Sequence, residues 1–481
     1  MSSWLQTWWR QPSGGREVLR LAFPLIVASI SWTLMLFIDR MFLLWHSKEA
    51  MGAALPAALI WFTLICFPLG ICTFVNTFVS QYHGAKRPWR IGPTVWQGVW
   101  VAVFTTPLLM AATPVVSVLI TWADHAPEIT RMEISYFQII GYSTGGMLVS
   151  AALSSFFTGR GLTTTVMFVD TAAAGLNIAL DALWIFGLAG FPEMGIAGAA
   201  YATVVSVWFK TAVYAWLFLR ARNRVEFQTL TGFRIDRELL GRLLRHGSPA
   251  GAQFFLEIAG FTFFAMMVGR LGTLPQVATN LAFNVNGLAF MPVLGLGIAV
   301  STMVGQRQGE GRDDLAARAT WSSLMIALPY MAIVSSLYVL APDWLLMAHL
   351  SSVDSADAGR LRETTITLLR FVAVFNLFDG MNVIFVGALK GAGDTRFVMV
   401  VSLIMAVLLS AAMLAALGPW ELGVKGCWSI VTAWICMIGV IYLLRFLQGR
   451  WRRMCVIESV ADAPSPAPES AASPALAGET E

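Results

Sequence analysis

Five acids stand inside long apolar runs: Asp39, Asp170, Asp181, Glu257 and Asp379. A carboxylate within a membrane-spanning helix costs about 2.5–3.5 kcal/mol on insertion scales, which makes each a functional candidate by default. Its natural chemistry there is to hold a proton or a hard cation. Asn177 precedes Asp181 by four residues, so amide and carboxylate project from one helix face. Asp170 lies eleven residues before Asp181, on nearly the same stripe. Asp379 is flanked by Asn376 and Asn382, and Asn280 and Asn284 stand one turn apart on another polar face. The competing reading for these groups is an interhelical hydrogen bond that holds a bundle together. For Asp39 it is a helix-end pairing with Arg40. For Asp170, placed near the cytoplasmic end, the structural reading is preferred. Pro24, fifteen residues before Asp39, permits a bend that an acid's protonation could work as a hinge; a static kink is the alternative.

These groups need elements to carry them, and composition says which. The chain has 481 residues, 57% hydrophobic and 12% charged, with mean hydropathy +0.69. A soluble domain carries about 25% charged residues. The composition excludes a soluble enzyme, a nucleic-acid binder and a disordered protein. Twelve apolar segments can be drawn: 18–44, 53–80, 96–121, 134–157, 165–188, 196–219, 250–268, 277–304, 320–340, 366–389, 397–417 and 424–447. They are too long and too uniformly apolar for barrel strands. The expected fold is an all-α polytopic membrane protein of twelve spanning helices, the first of them uncleaved. Four of the five cysteines (Cys66, Cys72, Cys427, Cys436) sit in these runs and read as packing residues; Cys455 lies beyond them.

Lys and Arg set the orientation. With the N-terminus inside, 23 of 32 fall in inside segments and 8 outside, while Lys210 lies within a helix. Both termini are therefore expected in the cytoplasm of a multi-pass cytoplasmic (inner) membrane protein. The domains follow: a cytoplasmic segment 1–17, an N-terminal six-helix lobe 18–219, a basic cytoplasmic linker 220–246, a C-terminal six-helix lobe 247–447 and a tail 448–481. The tail is basic at first. After Arg453 its Ala-Pro-Ser-Glu composition, with Glu458 among its acids, reads as disordered.

The lobes look like a duplication. A shift of 225 brings Pro24 onto Pro249, Gly70 onto Gly295, Gln81 onto Gln306 and Gly84 onto Gly309. A shift of 232 brings Gly159-Arg160-Gly161 onto Gly391-Ala392-Gly393, and one of 228 brings Gly195 and Gly198 onto Gly423 and Gly426. Six helices per copy insert both copies the same way up, a parallel repeat with the substrate site between them. Asp39, Asp181, Glu257 and Asp379 meet Phe264, Met413, Trp32 and Met147, so no acid is repeated. A scaffold requirement should recur in both copies; a specialised site need not.

With these motifs in view, the chain from Arg16 to Arg450 resembles the multidrug and toxic compound extrusion (MATE) family of secondary transporters. The likeness rests on Gly387-Ala388-Leu389-Lys390-Gly391-Ala392-Gly393-Asp394-Thr395, on Phe37-Ile38-Asp39, and on Gln81 with Gly84. It implies a cation site in the N-terminal lobe at Asp39, Asn177, Asp181, Ala199 and Thr203, where Na⁺ could bind transiently at Asp39, Asn177, Asp181 and Thr203. The NorM-type branch also uses acids in the C-terminal lobe, and Glu257 and Asp379 match that pattern, with Asn280 and Asn284 added here as a secondary cation or substrate site. Phe375 departs from that branch's tyrosine one turn before Asp379, and Arg40 from the small polar residue usual beside the first-helix Asp.

The function expected is that of a monomeric antiporter. Inward H⁺ or Na⁺ movement drives export of a small organic, cationic or amphiphilic solute by alternating access, with no cofactor, no resident metal and no nucleic acid. A lipid-linked precursor flippase of the same superfamily is the first alternative. It should show a cavity dominated by cations, whereas the interior acids outnumber Lys210. A polytopic membrane enzyme is the distant one: the five histidines are scattered, with no H-E-x-x-H.

Overall fold

In a computed structural model of the chain, residues 2–121, 126–350 and 355–458 are described. No strand occurs among them. Lipid offers the backbone no hydrogen-bond partner, so each apolar run closes its own bonds as a helix. The first lobe contains α1 (Gly15–His46), α2 (Lys48–Gly84), α3 (Ile91–Thr121), α4, α5 (Thr163–Ile185) and α6 (Gly195–Phe218). The second contains α7 (Arg237–Gly269), α8 (Thr273–Gly309), α9 (Asp313–Leu340), α10 (Ser355–Ala392), α11 (Thr395–Leu417) and α12 (Val424–Leu447). Eleven of these are single helices long and apolar enough to cross a membrane. The fourth, α4, is a pair, Pro127–Gly141 and Thr144–Gly159, bent by 41°. Short helices at Ser2–Arg10, Ala221–Glu226 and Pro342–Leu350 lie outside the spans.

Turns between helices are made locally. Ser47 leaves helical geometry at φ −161° and its Oγ accepts from the Ala50 N–H at 3.1 Å, so α2 starts two residues after α1 ends. Asp236 caps α7, its Oδ1 accepting from the N–H groups of Glu238 and Leu239 at 3.1 and 3.0 Å.

The lobes meet along glycine contacts. A Cβ at Gly70 would lie 2.5 Å from the Gly251 Cα, and one at Gly295 would lie 2.8 Å from the Ile26 nitrogen. These pack α2 on α7 and α8 on α1, the same contact seen from each copy of the repeat. The repeat is sharpest at the end of the bundle that carries the basic loops and both ends of the described chain, here termed the basic end. Gln81 Nε2 donates to the Gly391 carbonyl at 3.0 Å, and Gln306 Nε2 donates to the Gly159 carbonyl at 2.8 Å. Gly84 abuts the Gln306 backbone and Gly309 abuts the Gln81 backbone too closely for a Cβ at either. The residues paired by the sequence shifts thus touch one another reciprocally. Asn76 Nδ2 to Thr302 Oγ1 at 3.0 Å, Thr77 Oγ1 to the Lys390 carbonyl at 3.3 Å and Arg307 to Glu17 at 2.6 Å complete the seam.

The sequence reading needs correction at the start of the tail. Cys455–Glu458, expected to be disordered, pack against the basic end: Val456 is 2% exposed and its N–H donates to Gln81 Oε1 at 2.9 Å. Residues 459–481 lie outside the described residues.

Candidate cation site and substrate cavity

Two helices and their neighbours bring the first-lobe acids together. Asp39 on α1 and Asp181 on α5 are buried, α1 and α5 pack on each other, and the two carboxylates lie within electrostatic reach. Asn177, one turn before Asp181, is fully buried. With its amide oriented to satisfy both neighbours, Nδ2 donates to Asp181 Oδ2 at 3.0 Å and Oδ1 accepts from the Thr203 N–H at 3.2 Å. Thr203 Oγ1 donates to the Ala199 carbonyl at 3.2 Å on α6. The five positions implied by the family resemblance therefore converge from three helices.

Their unmet needs are informative. Asp39 Oδ1 and Asp181 Oδ1 are both buried without a hydrogen-bond partner. An acceptor in that condition costs about 1–3 kcal/mol, more when charged. Two such oxygens within one site form a set that a proton or a small hard cation satisfies. Arg40 is exposed and makes no hydrogen bond to either orphan oxygen, although its charge reaches Asp39. Tyr136, on the first part of α4, is also buried within reach of both acids. Sequence reasoning passed over it, since a tyrosine in an apolar run ordinarily reads as packing.

A cavity of about 780 Å³ lies between the lobes. Its wall is mostly apolar, with Trp32, Met35, Phe62, Phe74, Phe254 and Met291 among the lining residues. Hydroxyls and amides are scattered through it, and four residues carry charge. Asp170 and Lys210 line the first-lobe side and Glu257, Gln253 and Lys390 the other. Asp170 Oδ1 accepts from Lys210 Nζ at 3.0 Å and from Tyr214 Oη at 2.8 Å. Asp170, read from sequence as structural and near the cytoplasmic end, is thus a half-buried member of the cavity wall. Lys390, counted from sequence as a loop residue, lies within α10 and faces the cavity. Neither acid of the cation site lines this cavity, though Met35, one turn before Asp39, does.

The second-lobe set assembles only in part. Glu257 is in the cavity wall, within electrostatic reach of Asp379 and Lys390. Asp379 stands behind the wall and accepts from Asn382 Nδ2 at 3.4 Å. Asn280 and Asn284 do not join them. Both are exposed and neither lines the cavity. Helical spacing had placed them correctly on one face of α8, but it could not say where that face points. The buried amides here are Asn376, whose side-chain atoms have no partner, and Asn286, which accepts from Tyr338 Oη at 3.2 Å. Phe375, in place of the branch's tyrosine, is buried and stacks on Trp428 at 6.5 Å. Pro24 is buried inside an α1 that runs unbroken from Gly15 to His46.

The chain is 27% identical over 455 residues to the probable multidrug resistance protein NorM of Thermotoga maritima, covering 93% of this chain and 95% of that one. It is 28% identical over 389 residues to the multidrug resistance protein NorM of Photobacterium profundum, covering 80% and 83%. Its fold matches a multidrug resistance MATE family transporter of the MOP superfamily, solved in an outward-facing conformation, with TM-score 0.83 at 18% identity, covering 94% and 99%. It also matches a MOP superfamily transporter from Pyrococcus furiosus, described as having a reversed pocket polarity, with TM-score 0.80 at 19% identity over 94% and 99%. The MatE family model matches residues 24–183 and 249–415, one stretch in each lobe and most of the chain together, so this polytopic membrane protein belongs to the MatE family.

Proposed function

We propose that the chain is a multidrug exporter driven by inward movement of H⁺ or Na⁺, working by alternating access in a bacterial inner membrane with its basic end in the cytoplasm. The observation that carries the coupling is the pair of buried, unpartnered carboxylate oxygens of Asp39 and Asp181. A cation taken there satisfies the site; its loss leaves two like charges buried together, which favours a different arrangement of the helices. The relatives named as multidrug resistance proteins support the drug-export reading. So does the cavity, whose aromatic and methionine lining adapts to varied apolar bodies. Glu257 offers a carboxylate to a cationic or amphiphilic solute, while that of Asp170 is held by Lys210 at 3.0 Å.

The inter-lobe hydrogen bonds among the described residues cluster at the basic end, which agrees with a state closed to the cytoplasm. A flippase gripping pyrophosphate calls for a surplus of cations. Lys390 adds a second lysine to Lys210, yet Asp170 and Glu257 match them one for one. The test is dye efflux in sealed vesicles under imposed H⁺ or Na⁺ gradients. Gradient-dependent efflux in the wild type that is lost in Asp181→Asn, at equal membrane yield, is expected. Efflux that ignores both gradients sinks the antiporter reading.

A further inference from the structure

Beyond α12 the chain does not leave the protein. It makes a 3₁₀ turn, Arg450–Arg453, in which Trp451 is 1% exposed and stacks on Phe446 with ring centroids 4.8 Å apart. Gln308 Nε2 donates to the Trp451 carbonyl at 3.1 Å. These contacts fix the segment to the second lobe. Val456 follows, seated over Gly393, where a Cβ would lie 2.6 Å from Val456 Cγ1. From that anchor the chain crosses to the first lobe. Gln81 Oε1 accepts from the Val456 N–H at 2.9 Å and from Cys455 Sγ at 3.2 Å.

Glu458 then enters a pocket built from both lobes. Its Oε2 accepts from Tyr82 Oη at 2.6 Å and its Oε1 from Arg90 Nε at 2.9 Å, both first-lobe groups. Arg242, on the opening turns of α7, pairs with the same carboxylate. The Glu458 carbonyl accepts from Arg87 Nη1 at 3.1 Å, and the Glu458 side chain is 5% exposed. Burial alone would push this carboxyl up. Hydrogen bonds from Tyr82 and Arg242 and the Arg90 charge outweigh it and hold the group at about 2, so it is ionised at neutral pH. Arg90 also pairs with Asp236 at 3.3 Å and Arg242 with Glu238 at 3.0 Å, so Glu458 is the carboxylate that joins two ion pairs into one network. A surface ion pair is worth little, but a sunken carboxylate with three donors drawn from both lobes is a geometric constraint as well as a charge contact.

We propose that Glu458 is the ligand of an inter-lobe carboxylate site formed by Tyr82, Arg90 and Arg242, and that its seating clasps the basic end shut. The segment 455–458 is thereby a self-bound brake on the cytoplasm-open state, the state in which an exporter loads its solute. This rests on the alternating-access reading above. Release of Glu458 accompanies opening, and any solute or partner that competes for the site releases the brake.

The experiment places spin labels at Lys86→Cys in the first lobe and Arg312→Cys in the second, both exposed positions at the basic end, with Cys455→Ser to remove the nearby thiol. Pulsed electron resonance gives the distance distribution in bilayers, with and without imposed gradients. Glu458→Gln keeps the shape and removes the charge, and should raise the long-distance population about fivefold, the low end of ordinary coupling between sites. Arg242→Gln should do the same, and the double variant should add nothing further, because both remove one interaction. If the wild type shows two populations and Glu458→Gln leaves their ratio unchanged, the clasp is wrong and alternating access stands. If the wild type shows one distance under every gradient, alternating access itself fails and the clasp falls with it.

Discussion

The two lobes share a backbone plan and differ in what they bury. In the first, Asp39 and Asp181 sit behind the cavity wall, each with an oxygen that nothing in the protein satisfies. In the second, Glu257 stands in the wall itself, and Asp379 has an amide from Asn382. The first arrangement suits a small ion that must be held and released away from bulky solutes. The second suits contact with the solute. A duplicated scaffold can divide labour in this way because the repeat fixes helix positions without fixing which interior faces carry charge.

The sharpest way to break that division is to neutralise the acids lobe by lobe. Asp181→Asn and Asp39→Asn should each reduce gradient-driven efflux by about tenfold or more, within the usual range of coupling between sites, at normal membrane yield. Asp379→Asn should retain a larger share of transport than either. Drug export that survives Asp181→Asn but not Asp379→Asn would reverse the assignment.

A somewhat smaller effect is expected at the seam. Gly84→Ala and Gly309→Ala each place a methyl against opposing backbone, at the Gln306 and Gln81 backbones respectively. Overpacking costs about 1–3 kcal/mol. Both variants should disfavour the closed basic end to a similar degree, read as greater cytoplasmic labelling of a cysteine introduced at Ser301 in the cavity wall. Unequal effects would mean that the repeat is less symmetric in energy than in geometry.

Glu257→Gln should act more mildly and selectively. It should raise the apparent KM for cationic dyes severalfold while leaving neutral solutes within about twofold, since it removes one partly solvated charge contact worth about 1 kcal/mol. Loss of all transport in this variant would move Glu257 into the coupling machinery. The smallest effect is expected from Asn280→Ala and Asn284→Ala, which should leave efflux near wild type because these exposed amides stand apart from the cavity.

Much of this fold was readable from the chain, and the reasons are specific. Apolar runs must close their own hydrogen bonds, so eleven single helices and one bent pair appear where hydropathy put twelve spans. The paired glycines and glutamines forecast the repeat because close approach tolerates no side chain at Gly84 or Gly309. Helix ends were less legible. The apolar run of α10 stops at Leu389, yet the helix runs on through Ala392 and turns Lys390 toward the cavity. The bend at Tyr142 and Ser143 is flanked by Gly141, Gly145 and Gly146, but those glycines sit inside one continuous apolar run that hydropathy reads as a single span. The structural reading of Asp170 agrees with its bonds to Lys210 and Tyr214 on another helix; its place in the cavity wall was not legible, because one-dimensional spacing does not report what lies across a helix. The segment Cys455–Glu458 was misjudged because its order comes from side chains some 370 residues away in sequence. Asn177 with Asp181 was legible since both lie on one helix, where spacing alone sets the face.

The exchange of glutamines at the seam has a mechanical consequence. Gln81 grips a carbonyl of the far lobe while Gln306 grips one of the near lobe, so the two bonds form hooks set in opposite directions about a common axis. Because the repeat relates the two hooks, a relative movement of the lobes about that axis loads both alike, so neither bond is spared at the expense of the other.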